Sequence, residues 1–464
     1  MTRVLEFVVA LIIVFVLAVI VGLFLPSHAH IERSIEISHN PVHIYDVLNN
    51  FRRFSDTTGA GLVAEDPSVK LTTSGPAYGT GATLKWAGDD TIGNGTLVNK
   101  SSSIDITDNA NITWDLKNDW HGTNKVFTFT IEPNQARRVT KVTWAYDVDY
   151  GWNLIARYSG LWIHGQPATM IQYGLDSLQN MLAGVANVDY SKVDPGLYAT
   201  PATPVLLVST KAPRTVDDID TAKTTAMQQI RAAMAQLGVK QAGPTTTIRT
   251  EWGDTTFRFD VAVPINTSTL TVGGKSFDLA QLPANDAAAA SSAGQPAPAA
   301  STGAAAAATG PAVGSVDKHD QLVINANVRA AMMPAGEVLA AKWTGESGVQ
   351  FMVKALEAYA ATHGYKFDES NAPAYNQLAS LPSVDDDSQL YRVFLPVTDA
   401  PAQTPDQIAG RTQTFTALDP SLWAGAAPAK PEVAKKGAAN EKKADTKHEA
   451  RKRPAPAHRR ARHR

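Results

Sequence analysis

The sequence predicts an α+β protein that has an N-terminal transmembrane helix and two folded regions built from antiparallel strands and closing helices. One long apolar run near the N-terminus contains no charged side chain and matches a membrane span. A series of alternating strand patterns then ends in one long helical pattern, and a strand-helix-strand-strand unit occurs twice further along. The 464 residues include no cysteine, which excludes thiolate metal sites and thiol nucleophiles.

The apolar run Phe7–Leu25 has 19 residues and would form a helix about 28 Å long at ~1.5 Å per residue. That length nearly matches the roughly 30 Å hydrocarbon core of a bilayer, so we predict a transmembrane helix over residues 4–26. A cleaved signal peptide is the alternative, but the run exceeds the roughly 7–15 apolar residues of such a signal. Because Arg3 precedes the run, the positive-inside rule predicts a single-pass protein of a bacterial inner membrane with a periplasmic body.

A first folded region is predicted over residues 31–188. It opens with the strand Ile31–Ile37, whose side chains alternate between apolar and polar, and Asn40 before Pro41 indicates a helix start. Further strands are predicted at residues 82–86, 95–100, 103–106, 112–116, 125–131 and 139–149. Residues 154–182 are then predicted to form one long helix. This order is typical of an antiparallel sheet that wraps around a closing helix.

Several runs of this region resemble the SRPBCC superfamily, also called START-like or polyketide-cyclase-like. The runs are IERSIEISHNPVHIYDVLNNFRRF, GTGATLKWAGDDTIGNGTLV and RRVTKVTWAYDVDYG, followed by the closing helix. The resemblance implies a helix-grip fold with a hydrophobic pocket for a lipid-like or polycyclic ligand. Candidate pocket residues, for which plain core packing is the alternative, are Trp86, Trp114, Phe127, Phe129, Trp144 and Tyr146.

Acid-base chemistry is not expected in this region. The available groups are Asp147, Asp149 and His164, and the two aspartates fall on the polar face of their strand. The histidines that follow the apolar run match no standard metal spacing, and no catalytic or nucleotide-binding motif is present. We therefore predict no catalytic residue, no metal and no cofactor.

A second folded region is predicted over residues 204–398, where the chain repeats a strand-helix-strand-strand unit. The helix ends pair as QLGVK with THGYK, and the final strands pair as FDVAVPI with YRVFLPV. The first copy has strands at 205–210, 245–251 and 256–264 around a helix at 217–237. In the second copy, strands at 336–343 and 389–397 accompany a helix at 349–363.

The doubled unit resembles the gyrase-inhibitor-like effector-binding domain. The resemblance implies a pseudo-two-fold domain with a ligand cleft between its halves, and in that family an acidic residue often engages a cationic ligand. The equivalent stretch here, NAPAYNQLASLP, has Pro373 or Ala374 where the family has its glutamate, and Glu369 is a nearby acidic residue. Candidate cleft residues, again with core packing as the alternative, are Trp252, Trp343, Tyr359, Tyr375 and Tyr391.

Two segments have the composition of disordered chain. Residues 284–314 are rich in Ala, Ser, Gly and Pro and are predicted to be a flexible insert. Residues 424–464 are predicted to form a disordered basic tail. Within it, Lys430–Arg464 holds 13 Lys and Arg against 4 Asp and Glu, a net charge of +9 within a chain of net charge −2. Such a tail would adhere to anionic lipid or wall polymer, and without interleaved aromatics it does not indicate nucleic-acid binding.

These features together predict a membrane-anchored binding protein for a hydrophobic small molecule or lipid, which would sense, sequester or transport that molecule. The membrane partner is engaged through Phe7–Leu25. One alternative is a polyketide cyclase-like or hydrolase-like enzyme that uses the first pocket and requires a buried acid-base pair there. The other is a structural envelope protein whose pockets are filled by core side chains.

Overall fold

The computed structural model describes residues 2–282, 311–345, 348–380 and 388–400. The chain divides into two units, Met1–Ala424 and Gly425–Arg464, and every described residue belongs to the first unit. The predicted basic tail and nearly all of the predicted insert lie outside the described residues. What the structure describes is a mixed α+β architecture with one N-terminal apolar helix and two large antiparallel sheets.

The N-terminal helix α1 covers Thr2–Phe24. Its span Arg3–Phe24 has a mean hydropathy of 3.4, and only 6% of its most apolar stretch is buried. It is therefore long and apolar enough to cross a membrane, although a signal sequence near an N-terminus can meet the same criteria of length and composition.

The first lobe, defined as residues 28–184, consists of seven strands and four helices. Its first half contains β1 His28–Ile37, α2 Pro41–Leu48, α3 Ala60–Glu65, β2 Lys70–Ser74, β3 Thr83–Ala87 and β4 Asn94–Ile104. Its second half contains β5 Ala110–Asn118, β6 Thr123–Asn134, β7 Val139–Asp149, α4 Leu154–Ser159 and α5 Gln166–Ala183. The strands form one antiparallel sheet in the order β1-β7-β6-β5-β4-β3-β2.

The inner face of this sheet is set by strict alternation of side chains. Phe127, Phe129 and Ile131 of β6 are buried, as are Val142 and Trp144 of β7, whereas the residues between them reach the outer face. Helix α5 packs on β1 and β7 and closes the core. The two predicted strands at 95–100 and 103–106 are one strand, β4, which contains a bulge between Asn99 and Ser101.

The helix predicted over residues 154–182 is wrong in one respect, because the structure divides it into α4 and α5. A single 3-10 turn, Gly160–Trp162, lies between them. Gly165 precedes α5 and Pro167 lies in its first turn. Proline has no amide hydrogen to donate to an uninterrupted helix, so its position favours a fresh helix start.

The second lobe, defined as residues 196–400 where described, has a nine-stranded sheet and two helices. Its first part contains β8 Gly196–Thr200, β9 Thr203–Pro213, α6 Val216–Leu237, β10 Thr246–Trp252, β11 Thr256–Pro264, β12 Thr269–Val272 and β13 Lys275–Asp278. Its second part contains β14 Leu322–Val323, β15 Val328–Met333, β16 Gly336–Thr344, α7 Val349–His363, β17 Tyr375–Leu378 and β18 Leu390–Val397.

The order of the six central strands in the second sheet is symmetric. The full order is β14-β15-β9-β11-β10-β17-β18-β16-β8, and the hairpin of β12 and β13 stands apart. The first copy contributes β9-β11-β10, which are its first, third and second strands. The second copy contributes the equivalent strands in the opposite order, β17-β18-β16. The two copies join where Thr247 of β10 pairs with Asn376 of β17. Both helices end at a glycine in the left-handed conformation, Gly238 at φ 68° and Gly364 at φ 73°.

A buried polar junction joins α2 of the first lobe to α7 of the second. The hydroxyl of Tyr190 donates to Oδ2 of Asp46 at 2.7 Å and lies 2.7 Å from Oγ1 of Thr362. The ring of His43 stacks on Tyr190 with 4.4 Å between ring centroids. Arg52 donates from Nε and Nη2 to the carbonyl of Gly364 at 3.1 and 3.0 Å. The junction thus links the two lobes by hydrogen bonds as well as by apolar contact.

Candidate ligand cavity

A cavity of about 230 Å³ lies inside the first lobe between the sheet, α3 and the first turns of α5. This volume is far larger than the roughly 10–15 Å³ that one water molecule requires. Aromatic and aliphatic side chains make up most of its wall, as in sites for apolar ligands. The lining residues are Phe54, Thr58, Gly59, Gly61, Leu62, Ala64, Glu65, Trp86, Ile92, Leu97, Trp114, Leu116, Asn118, Trp120, Phe127, Trp144, Thr169, Met170 and Tyr173.

Three tryptophans of the wall carry hydrogen-bond donors that have no partner. The indole nitrogens of Trp86, Trp114 and Trp144 are buried, and none of them has a hydrogen-bond partner among the described residues. A buried donor without an acceptor costs about 1–3 kcal/mol. An acceptor oxygen on a bound guest could recover part of this cost after a small rotation of the ring.

The cavity opens between α3 and the start of α5. Its lining residues Ala64, Glu65, Thr169 and Tyr173 are exposed, whereas the tryptophans on the sheet are buried. The Tyr173 side chain remains 49% exposed, so its ring borders the opening. A ligand that entered here would pass from a polar rim to an aromatic interior.

Four of the six aromatic residues predicted for this pocket line the cavity, namely Trp86, Trp114, Phe127 and Trp144. Phe129 lies deeper in the core, with its ring centroid 4.6 Å from that of Trp114 and 4.9 Å from that of Trp144. Tyr146 contacts the wall from behind through Trp120, at 5.7 Å between centroids. The structure therefore brings five of the six into one cluster of ring contacts, places Trp86 elsewhere on the cavity wall, and leaves Phe129 and Tyr146 outside the wall.

Several wall residues were not predicted from the sequence. Trp120 lies in a turn, and Phe54 and Leu62 belong to short helical segments whose place cannot be read from strand alternation. Met170 and Tyr173 lie one turn apart on α5. The three-residue spacing of these two side chains on a helix that starts at Pro167 is the signal that could have identified them.

Phe51 connects the cavity wall to the lobe junction. Its ring lies 4.9 Å from that of Trp114, centroid to centroid. The next residue, Arg52, makes the hydrogen bonds to the second lobe described above and also donates to the carbonyl of Asp399 at 2.6 Å. A residue that packs behind the cavity wall and a junction residue are thus neighbours in the chain.

The five aromatic residues predicted for a cleft in the second lobe do not come together. Trp343, Tyr359 and Tyr391 belong to the core beneath α7, and Trp252 packs against Phe257 near α6. Only Tyr375 lies on the sheet face opposite the helices. It stacks on Phe394 at 4.8 Å, and burial raises its pKa to about 12.

Glu369, the acidic residue near that stretch, is held by a buried arginine. Nη2 of Arg249 lies 2.7 Å from Oε2 of Glu369 and 2.6 Å from Oε1 of Glu357, and only 8% of the Arg249 side chain is exposed. Lys354 binds the other oxygen of Glu357 at 2.6 Å. Two carboxylates and two cations balance one another here, so this cluster supplies no net negative charge for a cationic ligand.

None of the three acid-base candidates of the first lobe is among the residues that line the cavity. Asp147 pairs with His30 at 2.8 Å and Asp149 with His28 at 3.0 Å, all of them on the outer face of β1 and β7. The hydrogen bond to Asp147 raises the pKa of His30. His164 lines a shallow groove beside Arg33. Among the described residues, no group of three or more His, Asp or Glu side chains could hold a metal ion.

Comparisons with known proteins give no match to any family model or to any curated protein. Solved structures give weak similarities. XoxI from Bacillus cereus is 17% identical over 34% of this chain and 96% of its own, with a TM-score of 0.24. Truncated norcoclaurine synthase from Thalictrum flavum is 14% identical over 34% of this chain and 96% of its own, with a TM-score of 0.25. The EcmrR C-terminal domain is 10% identical over 45% of this chain and 99% of its own, with a TM-score of 0.28. Similarities of this size do not establish a shared family.

Proposed function

We propose that this protein is a membrane-anchored binding protein that holds a hydrophobic small molecule or lipid in the cavity of its first lobe. The observation that carries the proposal is the cavity itself, because a sheet packed to its centre could hold no guest. Its volume of about 230 Å³ suits part of a lipid chain or a small ring system. The unpartnered indole donors favour a guest that also carries at least one oxygen acceptor.

The anchor of this protein is α1, with the body on the periplasmic side of a bacterial inner membrane. The exposed apolar surface of α1 supports this part of the proposal, since a helix this apolar requires either a bilayer or a protein partner. We further propose the SRPBCC-like assignment for residues 31–188 and the effector-binding-like assignment for residues 204–398. A helix across an antiparallel sheet supports the first, and the symmetric strand order supports the second.

No observation on the cavity favours the enzymatic alternative. The acidic and phenolic groups among its lining residues are Glu65 and Tyr173, and both are exposed at the rim. A cyclase-like or hydrolase-like mechanism requires an acid-base pair beside the reacting atoms. The role that we propose is therefore sensing, sequestration or transport of the guest.

Native mass spectrometry of the full chain, purified in mild detergent from its own host, tests this proposal. We expect a co-purifying molecule bound at one per chain. In the variant Gly61→Leu, a leucine would extend toward Met170 and Tyr173, which an added Cβ already approaches to 3.7 and 3.5 Å. This substitution narrows the opening, and we expect the bound fraction to fall several-fold.

Gly336→Leu is the matched control. An added Cβ at Gly336 meets no atom within 4 Å, and this residue belongs to the second lobe. The control should retain the guest at the wild-type level. A wild-type protein that purifies without any guest, in the same detergent that preserves its fold, would refute the binding function.

A further inference from the structure

Beside the end of α1, the first lobe exposes a set of large apolar side chains that its core does not use. We call Trp152, Ile155, Leu161 and Trp162 the interfacial patch; their exposed fractions are 85%, 73%, 57% and 67%. Within residues 150–163 the only charged side chain is Arg157, and it is buried. Contiguous exposed apolar side chains of this kind mark a surface that has a partner.

The patch is fixed to α1 by direct hydrogen bonds. The hydroxyl of Tyr158 donates to the carbonyl of Ala18 at 2.7 Å, and Nη1 of Arg157 donates to the carbonyls of Leu23 and Leu25, each at 3.1 Å. Gly22 permits this approach, since an added Cβ would lie 3.3 Å from Tyr158. The cation also lies at the negative end of the helix dipole, where it is stabilised.

These bonds determine the depth of α4 relative to the bilayer. Ala18 lies six residues before the end of α1 at Phe24, which corresponds to about 9 Å along the helix axis. If α1 spans the membrane, the Tyr158 hydroxyl therefore reaches below the end of the apolar helix. Trp152 and Trp162 would then lie in the headgroup region, where tryptophan is enriched in membrane proteins.

The cavity opens toward the same end of the first lobe. Ser27, just after α1, accepts a hydrogen bond from the amide of Tyr150 at 2.7 Å, so α1 adjoins the ends of β1 and β7. Helix α5 starts four residues after Trp162 and carries the rim residues Thr169 and Tyr173 in its first turns. The far end of α5 lies near His39, at the other end of β1.

We propose that the interfacial patch lies in the same bilayer that holds α1, and that the adjacent cavity takes its guest directly from the lipid. The second part rests on the proposed function. The occupant of the patch is the bilayer because the patch continues the apolar surface of α1 and adds no charge to it. A protein partner instead of lipid is the alternative that the experiment separates.

The absence of cysteine allows a direct test with spin labels on the full chain. Nitroxides are attached to Ile155→Cys and Trp162→Cys in equimolar phosphatidylcholine and phosphatidylglycerol vesicles, and their collisions with oxygen and with a water-soluble nickel complex are compared. Ile106→Cys is the matched control, since Ile106 is also exposed but lies in the turn after β4, at the opposite end of the sheet. Val14→Cys reports on α1 itself.

We expect oxygen to dominate at positions 14, 155 and 162 and nickel to dominate at position 106, with a several-fold difference in the collision ratio. Equal collision ratios at positions 155 and 106, with position 14 in lipid, would show that the interfacial patch does not lie in the bilayer. That result would leave the anchor and the cavity function intact. A water-accessible label at position 14 would contradict both the membrane anchor and the placement of the interfacial patch in the bilayer. Guest retention by the wild type, measured separately, reports on the binding function alone.

Discussion

Four tryptophans line the cavity, and each contributes a large apolar ring together with one hydrogen-bond donor. For Trp86, Trp114 and Trp144 the donor is unpartnered among the described residues, which is unusual for a packed core. An unsatisfied buried donor of this kind is most readily tolerated where a bound guest or a function offsets its free-energy cost. At the scale of single residues, these indoles give the cavity three donors for a guest, and the core of the second lobe holds one more unpartnered indole, that of Trp343.

A second residue-scale feature is His43 in the lobe junction. Burial lowers its pKa to about 4 from 6.5, and His39, with its Nδ1 at 3.1 Å, contributes further. A depressed pKa means that the neutral imidazole is favoured in the folded state. Its contribution to stability is fully present above pH 6.5 and is lost as the pH falls through about 4.

We predict that the free energy of unfolding of the full chain in detergent falls by about 3 kcal/mol from this group alone between these pH values. His43→Gln should remove this part of the pH dependence, because glutamine does not titrate and can still donate to the carbonyl of Val188. His319→Gln, at an exposed histidine of the second lobe, is the control. Urea unfolding followed by tryptophan fluorescence measures the difference, and parallel pH profiles for wild type and His43→Gln would contradict the prediction.

Strand alternation predicted which aromatic residues face inward, but it could not separate wall from core. Phe127 and Phe129 lie on the same face of β6, two residues apart, yet only Phe127 borders the cavity. The difference arises from where α5 and α3 cover the sheet, which is a tertiary property. In the second lobe the same limit applied more strongly, because Tyr359 lies on helix α7 while the four strand residues divide between the two faces of the sheet, with Tyr375 alone on the face opposite the helices.

At the scale of elements, regular sequence patterns predicted the bounds of strands and helices well, but interruptions within a helical pattern were not recognised. Strands β7 and β11 and helix α7 have the predicted bounds. The division between α4 and α5 was missed because residues 154–182 keep enough apolar periodicity to hide the Gly160, Gly165 and Pro167 breaks. That division matters for function, since it frees α4 to pack against α1.

The two glycines that end α6 and α7 allow a matched test of the lobe junction. Gly238→Ala should cost about 1 kcal/mol, because alanine is strained at positive φ and no neighbour lies within 4 Å of the added Cβ. Gly364→Ala carries the same strain, and its Cβ would also overlap Arg52 of the first lobe. Overpacking adds about 1–3 kcal/mol.

Urea unfolding of the two variants therefore should give a clearly larger loss for Gly364→Ala than for Gly238→Ala. The difference between the variants isolates the contact with Arg52, since both helices end in the same left-handed conformation. Equal losses would show that the second lobe shifts away from Arg52 at little cost, and that the junction is weaker than its hydrogen bonds indicate.

At the scale of the whole molecule, the question is which side of the membrane holds the two lobes. We predict that Ile106→Cys reacts with a membrane-impermeant maleimide in spheroplasts, whereas Thr2→Cys reacts only after the membrane is opened. The label at position 2 should remain on a chain of full mass. Reversed labelling would place the body in the cytoplasm, and loss of the position 2 label from the mature chain would identify a cleaved signal.

The neighbouring residues Phe51 and Arg52 have a consequence for how the whole molecule responds to its guest. A ligand that displaced the Trp114 ring would act on Phe51, because the two ring centroids lie 4.9 Å apart. Arg52, next in the chain, is bonded to Gly364 and Asp399 beyond the junction. Guest binding in the first lobe would in this way reach the second lobe through two adjacent residues, Phe51 and Arg52.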